Sequence, residues 1–372
     1  MEHIGFAVKS IGASHTESGL PCQDSVHFIN EPSCVSVAAA DGHGSSQYFR
    51  SDIGSGIAAR TACAKMSEFL KISDMSENED TAVKRLIESI VTEWRISVKE
   101  HIIENPFTDE EIGKVPEKYR EVYIPFSATK APDYTPYELE SRLKPENSDL
   151  LKAYGSTLIV LGMCEGYGIG LHIGDGKCVA VYDDGSIDEP IPWDERCHLN
   201  KCTSICDENS VSEFRYHIWR DKIPVAVFAA SDGIDDSFAD KLHMFYRSAA
   251  QDFAANEFHA QVRKLEEMLP QISARGSKDD MSIAGIIAPD RLRKVQDILK
   301  EASRSEAGSS RLKELEKKLE ELIFRRGNTE KLFEKCSEEY AEKKEKYKLT
   351  LEALGKDIES VENEIKRIKE SG

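Results

Sequence analysis

The chain has 372 residues, of which 31% are charged, with 49 Lys and Arg against 67 Asp and Glu and a formal net charge of −18. That length exceeds one average domain and sets the expectation of a large domain with an appendage, while the acidic balance argues against nucleic acid or an anionic membrane surface as a partner. No stretch approaches the roughly 20 apolar residues of a membrane span, the first twenty residues lack the apolar core of a secretory signal, and nine cysteines without paired spacings read as reduced thiols. Together these features predict a soluble, cytoplasmic protein.

Along the chain, short apolar or alternating runs predict strands at 4–9, 34–40, 156–163, 167–174, 177–182, 223–231 and 281–288, most of them bounded by Gly, Asp or Asn. The pair from Tyr167 to Tyr182 is joined through "GDGK", and Asp184-Gly185 supplies a further tight turn before Ile187, which together read as an antiparallel meander. Helical periodicity covers 47–70, where Ile53, Ile57, Ala58 and Met66 mark an apolar face, and 81–103, where Val83, Leu86, Ile87, Ile90, Val91 and Trp94 do the same. A second pair of helices is expected at about 238–255 and 257–269. Strands interleaved with helix pairs indicate a layered domain built on mostly antiparallel sheets. Residues 104–152 interrupt that pattern with Pro106, Pro116, Pro125, Pro132, Pro136 and Pro145, and read as a surface insertion.

From 289 onward the character changes to charged helix. The last stretch, 290–372, carries 21 basic against 20 acidic residues, so the excess negative charge belongs to the first 289. Leu312, Leu315, Leu319 and Leu322, and then Tyr347, Leu351, Leu354, Ile358, Val361, Ile365 and Ile368, follow coiled-coil spacing. Gly327-Asn328-Thr329 is a stop-and-restart signal, which leaves a helical hairpin and one interrupted rod both open. An arm of this kind, over 309–370, is expected to serve a coiled-coil partner or a homo-oligomer.

Five acidic positions share a local pattern. Asp24 follows "LPCQ", Asp41 opens "DGHG", Asp175 lies in "HIGDGK", Asp232 lies in "FAASDGIDD", and Asp279 with Asp280 precedes "MSIAGII". A carboxylate beside a glycine at a strand end projects past the sheet without crowding. Several of them gathered at one rim repel one another and protonate unless a cation neutralises them, and oxygen-only ligation suits Mg²⁺ or Mn²⁺. Any one Asp-Gly alone is more simply a turn dipeptide, but His43 beside Asp41 adds a proton-transfer group that turn chemistry does not need.

In chain order "CQD" (22–24), "DGHG" (41–44), "YGST" (154–157), "IGDGK" (173–177), "SDGIDD" (231–236) and "KDDMSI" (278–283) resemble the metal-dependent protein phosphatase 2C (PPM-type) family of serine/threonine phosphatases, over about residues 1–288. The resemblance implies an α+β fold: a four-layer α-β-β-α sandwich of two mostly antiparallel sheets flanked by helix pairs, here with the helical arm 289–372 appended. It implies Mg²⁺ or Mn²⁺, two ions with a third more weakly held, and a phosphorylated protein as substrate. Asp41 would bridge two metals, Asp232 and Asp279 would complete one, the Gly42 carbonyl would bind the other, Asp24 would act from behind them, and Asp175 would share the third ion with Asp232. A hydroxide bridging two metals would attack the phosphate of phosphoserine or phosphothreonine, with His43 as the general acid.

Three positions depart from the family pattern: Gln23 stands where many members have Glu, Asp280 replaces a frequent Asn, and Gly19 stands where many place an Arg that grips substrate phosphate. His15 and Arg50 are the candidate replacements for that Arg. A weak phosphate clamp keeps two rival readings in view, an adaptor acting through its arm and a hydrolase of small phosphoesters. Cys197, His198, Cys202 and Cys206 also offer zinc-ligand side chains, but their spacings match no familiar zinc motif, so structural cysteines are the simpler expectation.

Overall fold

The run Cys34–Ala40 is apolar at all but one position because both its faces are covered. In the computed structural model, which describes residues 3–72, 78–131, 135, 138, 148–198, 201–336 and 340–371, Val35, Val37 and Ala39 face a second sheet, while Cys34, Ala38 and Ala40 face helices. Alternation puts successive side chains on opposite faces, so a strand buried on both sides loses the polar half of the pattern.

The strands are β1 (Ile4–Ser10), β2 (Ser25–Asn30), β3 (Cys34–Ala40), β4 (Leu158–Cys164), β5 (Gly168–Ile173), β6 (Lys177–Val181), β7 (Ile187–Asp188), β8 (Arg215–Trp219), β9 (Ala226–Ala230) and β10 (Met281–Ile287). They form two five-stranded sheets, in the orders β1-β10-β9-β6-β7 and β2-β3-β4-β5-β8, with every pairing antiparallel. Val35, Val37, Ile159, Leu161 and Met163 from one sheet meet Ala180, Val227, Ala229, Ala284 and Ile286 from the other in a core between them. Helices Ser51–Ile72 and Glu79–Glu104 cover the β3 sheet, and Trp94 of the second donates its indole N–H to Gly54 O of the first at 3.1 Å. Helices Leu242–Ala255 and Phe258–Arg275 cover the other sheet, where Phe253 and Phe258 pack on Phe6 and Tyr246 packs on Phe228. The architecture is the expected four-layer α-β-β-α sandwich.

Several expectations need correction. Strands β2 and β8 carry no clear apolar run; they are the two edges of their sheet, and an edge strand keeps polar residues such as His27 and Arg215 on its partly exposed faces. The "GDGK" turn does not close a hairpin, because β5 and β6 belong to different sheets and the chain crosses between them at Gly174, whose φ is +113°. The Asp184-Gly185 turn does join a hairpin, β6–β7. Residues 104–131 are not a surface elaboration: Phe107, Val115, Tyr123 and Phe126 are buried in the helix-side core. Pro132, Pro136 and Pro145 lie outside the described residues.

Two compact units divide at Ile298/Leu299 rather than at 288, because the short helix Pro289–Lys294 buries Leu292 against the first unit. In the second unit, helix Gln296–Glu334 runs straight through Gly327-Asn328-Thr329, since one glycine costs a long helix only about 1 kcal/mol. The chain turns after Glu334, and helix Ala341–Ser371 packs back on the first. Leu315, Leu322, Leu354, Ile358 and Val361 share one apolar cluster, flanked by Arg311–Glu364 and Lys369–Glu316 ion pairs. The arm is therefore a helical hairpin and not a rod.

Candidate active site

Strand register gathers the acidic turns at one end of the sandwich. Ser25 lies opposite Ala40, so Asp24 and Asp41 are brought together at the end of one sheet. Ala230 lies opposite both Ile283 and Lys177, which brings the end of β9 with Asp232, the start of β10 with Asp279, and the sheet-crossing turn with Asp175 to the corresponding end of the other. Five segments distant in sequence thus converge at the seam between the sheets.

The "YGST" segment holds the central turn in place. Asp41 N–H donates to Thr157 Oγ1 at 3.0 Å, Thr157 N–H donates back to Asp41 O at 2.8 Å, and His43 N–H donates to Gly155 O at 3.2 Å. Gly42 is the residue type this position demands: a β-carbon would lie 2.7 Å from the carbonyl oxygens of Gln23 and Ser51, and both are backbone atoms that cannot swing aside.

The cluster carries more negative charge than its surroundings compensate. Asp24 is fully buried, and neither carboxylate oxygen has a hydrogen-bond partner; Asp232 Oδ1 is also buried and unpartnered. Burial pushes the carboxyl of Asp41 well above the usual range, and the charges of Asp24, Asp232 and Asp279 push the same way. Asp232 is raised by burial and then by Asp175, and Asp24 by burial, with the neighbouring hydroxyls of Ser231 and Ser282 offsetting part of the rise. Protonation of this kind is what a carboxylate cluster undergoes without a cation. Hard oxygen donors in excess of any neighbouring positive charge fit a divalent cation of the Mg²⁺ type. Among the described residues, no three His, Cys, Asp or Glu side chains already stand in the spacing that encloses an ion.

Sequence reasoning missed one member. Asp236 is raised by burial and then by the charges of Asp279 and Asp175, so it belongs to the same field. The signal was its spacing four residues after Asp232 on one short helix, Asp232–Phe238, which sets both on one face. His43 stands apart from the carboxylates, with its ring edge-on to Tyr48 at 4.7 Å between centroids. Burial holds its imidazole down to about 4, and the charge of Asp175 acts against that.

Neither candidate replacement for the phosphate-gripping arginine is available. Arg50 is buried, and all five of its N–H groups are engaged: Nε and Nη2 with Glu111 at 2.7 and 3.0 Å, Nη1 with Asn105 O and the Tyr154 hydroxyl, and Nη2 also with Pro106 O. It fastens the 104–131 segment to the helix layer. His15 Nδ1 lies 3.0 Å from Asp280 Oδ2, and the buried Asp280 also accepts from the N–H groups of Gly12 and Gln23, both at 2.6 Å. Asp280 therefore anchors the N-terminal segment, while its charge still pushes the carboxyl of Asp24 upward. Gly19 closes the short helix Ala13–Ser18 at φ +72°, a left-handed position that a side chain enters only with strain. The four zinc-type residues do not assemble either: Cys206 lies against Ser204, and His198 is exposed.

The sequence matches the model of protein phosphatase 2C over residues 11–270, which places the chain among the phosphatases. It belongs to the protein phosphatase 2C family. Among solved structures, it is similar to a serine/threonine phosphatase from Staphylococcus aureus at 11% identity, covering 76% of this chain and 94% of that one, with a TM-score of 0.44. It is also similar to the S. agalactiae serine/threonine phosphatase at 14% identity, covering 77% and 99%, with a TM-score of 0.42. A C. elegans sex determining protein is similar at 14% identity, covering 79% and 67%, with a TM-score of 0.45. Among curated proteins, none matches the chain. Among the described residues, no helix is long and apolar enough to cross a membrane.

Proposed function

We propose that the chain is a Mg²⁺- or Mn²⁺-dependent protein serine/threonine phosphatase. The observation that carries this reading is the convergence of Asp24, Asp41, Asp175, Asp232 and Asp279 at one seam, where burial and mutual charge raise the carboxyls of Asp24, Asp41 and Asp232 and leave oxygens of Asp24 and Asp232 without hydrogen-bond partners. Asp41 and the Gly42 carbonyl would hold the ions together with Asp232 and Asp279, while Asp24 acts from behind and Asp175 serves a third ion with Asp232. Divalent ions there supply Lewis acidity toward water and phosphate. His43 gives a proton to the departing serine or threonine oxygen, which leaves poorly as an alkoxide. Burial keeps the resting imidazole neutral, so it takes up that proton once a phosphate dianion offsets the cost of its charge.

The test is hydrolysis of a phosphothreonine peptide with and without Mn²⁺. Asp41→Asn should abolish turnover, and His43→Ala should lower kcat by about 10²–10⁴-fold; metal-independent turnover, or full activity in Asp41→Asn, overturns the reading.

One observation favours a second reading. With Gly19 in a left-handed turn and both Arg50 and His15 spent on structure, no arginine grips phosphate at the expected place. A phosphatase-like adaptor that acts through its helical arm, over 309–370, on a partner or a second copy would bind phosphoprotein without turnover. Higher kcat/KM on small aryl phosphates than on any phosphopeptide would instead mark a small-phosphoester hydrolase. The cytoplasm is the compartment that suits unpaired thiols at all nine cysteines.

A further inference from the structure

Beside the acidic rim lies a pair of thiols that the phosphatase reading does not use. Cys197 and Cys202 have their sulfurs 4.0 Å apart, nearer to one another than any other cysteine pair given a contact among the described residues. Their backbone setting is specific. His198 N–H donates to Lys201 O at 3.0 Å and Lys201 N–H donates to His198 O at 3.1 Å, so 198 and 201 exchange both hydrogen bonds of an antiparallel pair. Cys197 and Cys202 are the next residues outward from that pair, one on each arm of the turn, where side chains can approach one another. With the sulfurs already 4.0 Å apart, side-chain rotation can bring them toward the bond length of about 2.0 Å.

The surroundings favour reaction at this pair over the other cysteines. The contact between the two sulfurs polarises them, holding Cys197 down to about 6 against burial and pushing Cys202 up, whereas Cys63, Cys178 and Cys206 have no such partner sulfur among the described residues and are driven upward by burial. Cys202 keeps partial exposure, which gives a small oxidant a way in. Thr203, next in sequence, accepts a hydrogen bond from Gly174 N–H at 3.1 Å, immediately before Asp175, and donates one to Asp194 at 3.0 Å. The thiol pair is thus coupled through one residue to the turn that carries a rim carboxylate.

We propose that Cys197 and Cys202 form a reversible disulfide when the protein meets a hydroperoxide. The Cys197 thiolate attacks the O–O bond: an S–O bond forms, the O–O bond breaks, and the leaving oxygen takes a proton to become water, or an alcohol from an organic peroxide. Cys202 then attacks the resulting sulfenic sulfur. The S–S bond forms, the S–O bond breaks, and water leaves with the Cys202 proton. Two thiols lose two electrons and the peroxide gains them; a thiol reductant reverses the step by exchange. This modification site goes beyond the phosphatase reading and does not depend on it.

The experiment treats the full-length protein with hydrogen peroxide, blocks remaining thiols by alkylation, and maps peptides by mass spectrometry before and after dithiothreitol. The expected result is a cross-linked peptide pair lacking two hydrogens, containing Cys197 and Cys202, which dithiothreitol resolves and which is absent in both Cys197→Ser and Cys202→Ser but present in Cys206→Ser. Alkylated Cys197 and Cys202 after peroxide treatment of the wild-type protein overturn the proposal, as does oxidation of either residue only to sulfinic or sulfonic acid. A cross-link that persists in either single serine variant also overturns it.

Discussion

Asp279 and Asp280 are consecutive, yet they belong to regions built on opposite logic. Asp280 is buried and satisfied, with two backbone N–H groups and His15 around its oxygens. One residue earlier, Asp279 opens onto a rim where Asp24 is buried with both oxygens unpartnered and Asp41 is raised by burial and then by three other carboxylates. The first arrangement stabilises the fold through hydrogen bonds to a charged acceptor; the second destabilises it, a cost that the proposed divalent ion would offset. Neighbouring residues of one type, Asp280 buried and Asp279 exposed at the rim, thus differ in role according to what their oxygens meet.

The largest expected effect that separates the regions is on turnover. Asp41→Asn should remove at least about 10³-fold of Mn²⁺-dependent activity, comparable to losing a principal electrostatic group, while in the absence of divalent ions its thermal midpoint should hold or rise because a buried repulsion is gone. A fall in metal-free stability would erase the contrast. Asp280→Ala should do the reverse and lower stability by about 2–4 kcal/mol, since it orphans the Gly12 and Gln23 amides together. Urea unfolding measures it, and a loss under about 0.5 kcal/mol, the usual surface value, would show that the anchor carries no weight.

A third comparison uses the ion itself. Mn²⁺ at about 100 times its Kd should stabilise the wild-type protein by roughly 2.7 kcal/mol through binding to the folded state alone, and Asp232→Asn should cut that gain sharply while Asp280→Asn leaves it. Calorimetric titration with Mn²⁺ reads both. The smallest effect concerns Asp194, a second satisfied acid. Burial would raise it, but Arg196 and Thr203 outweigh burial and hold its carboxyl down to about 2. Its folded pKa lies below the ordinary carboxylate value, so its contribution is present above about pH 4 and is lost as pH falls toward about 2, on the order of 2 kcal/mol. Asp194→Asn should flatten the acid limb of the stability curve over that window.

Much of the sandwich was legible because strands buried on two faces leave a nearly continuous apolar run, as in Val35–Ala40 and Met281–Ile287, each broken by a single serine. The edges β2 and β8 were not, since one polar face and a short length erase that signal. Three carboxylate-bearing segments, at Asp41, Asp175 and Asp232, could be read from Asp-Gly at strand ends, Asp279 from its place just before a strand, and Asp24 from "CQD", whereas the satisfaction of Asp280 and Arg50 depends on partners tens to hundreds of positions away, such as Gly12 and Glu111, which no local pattern announces. The turn at Gly174 misled for the same reason: a tight turn looks alike whether the next strand returns to its own sheet or crosses to the other.

That crossing has a mechanical consequence. Asp24 and Asp41 hang from one sheet, and Asp232 and Asp279 from the other, so the proposed ion shared among them would be a rivet through two plates that otherwise adhere mainly by apolar contact and a few hydrogen bonds such as those between Gly5 and Asn30. Removing the rivet lets the plates part first at that end, where amides should exchange and proteases should cut soonest. On the proposed reading, cation supply would set the lifetime of the protein as well as its rate.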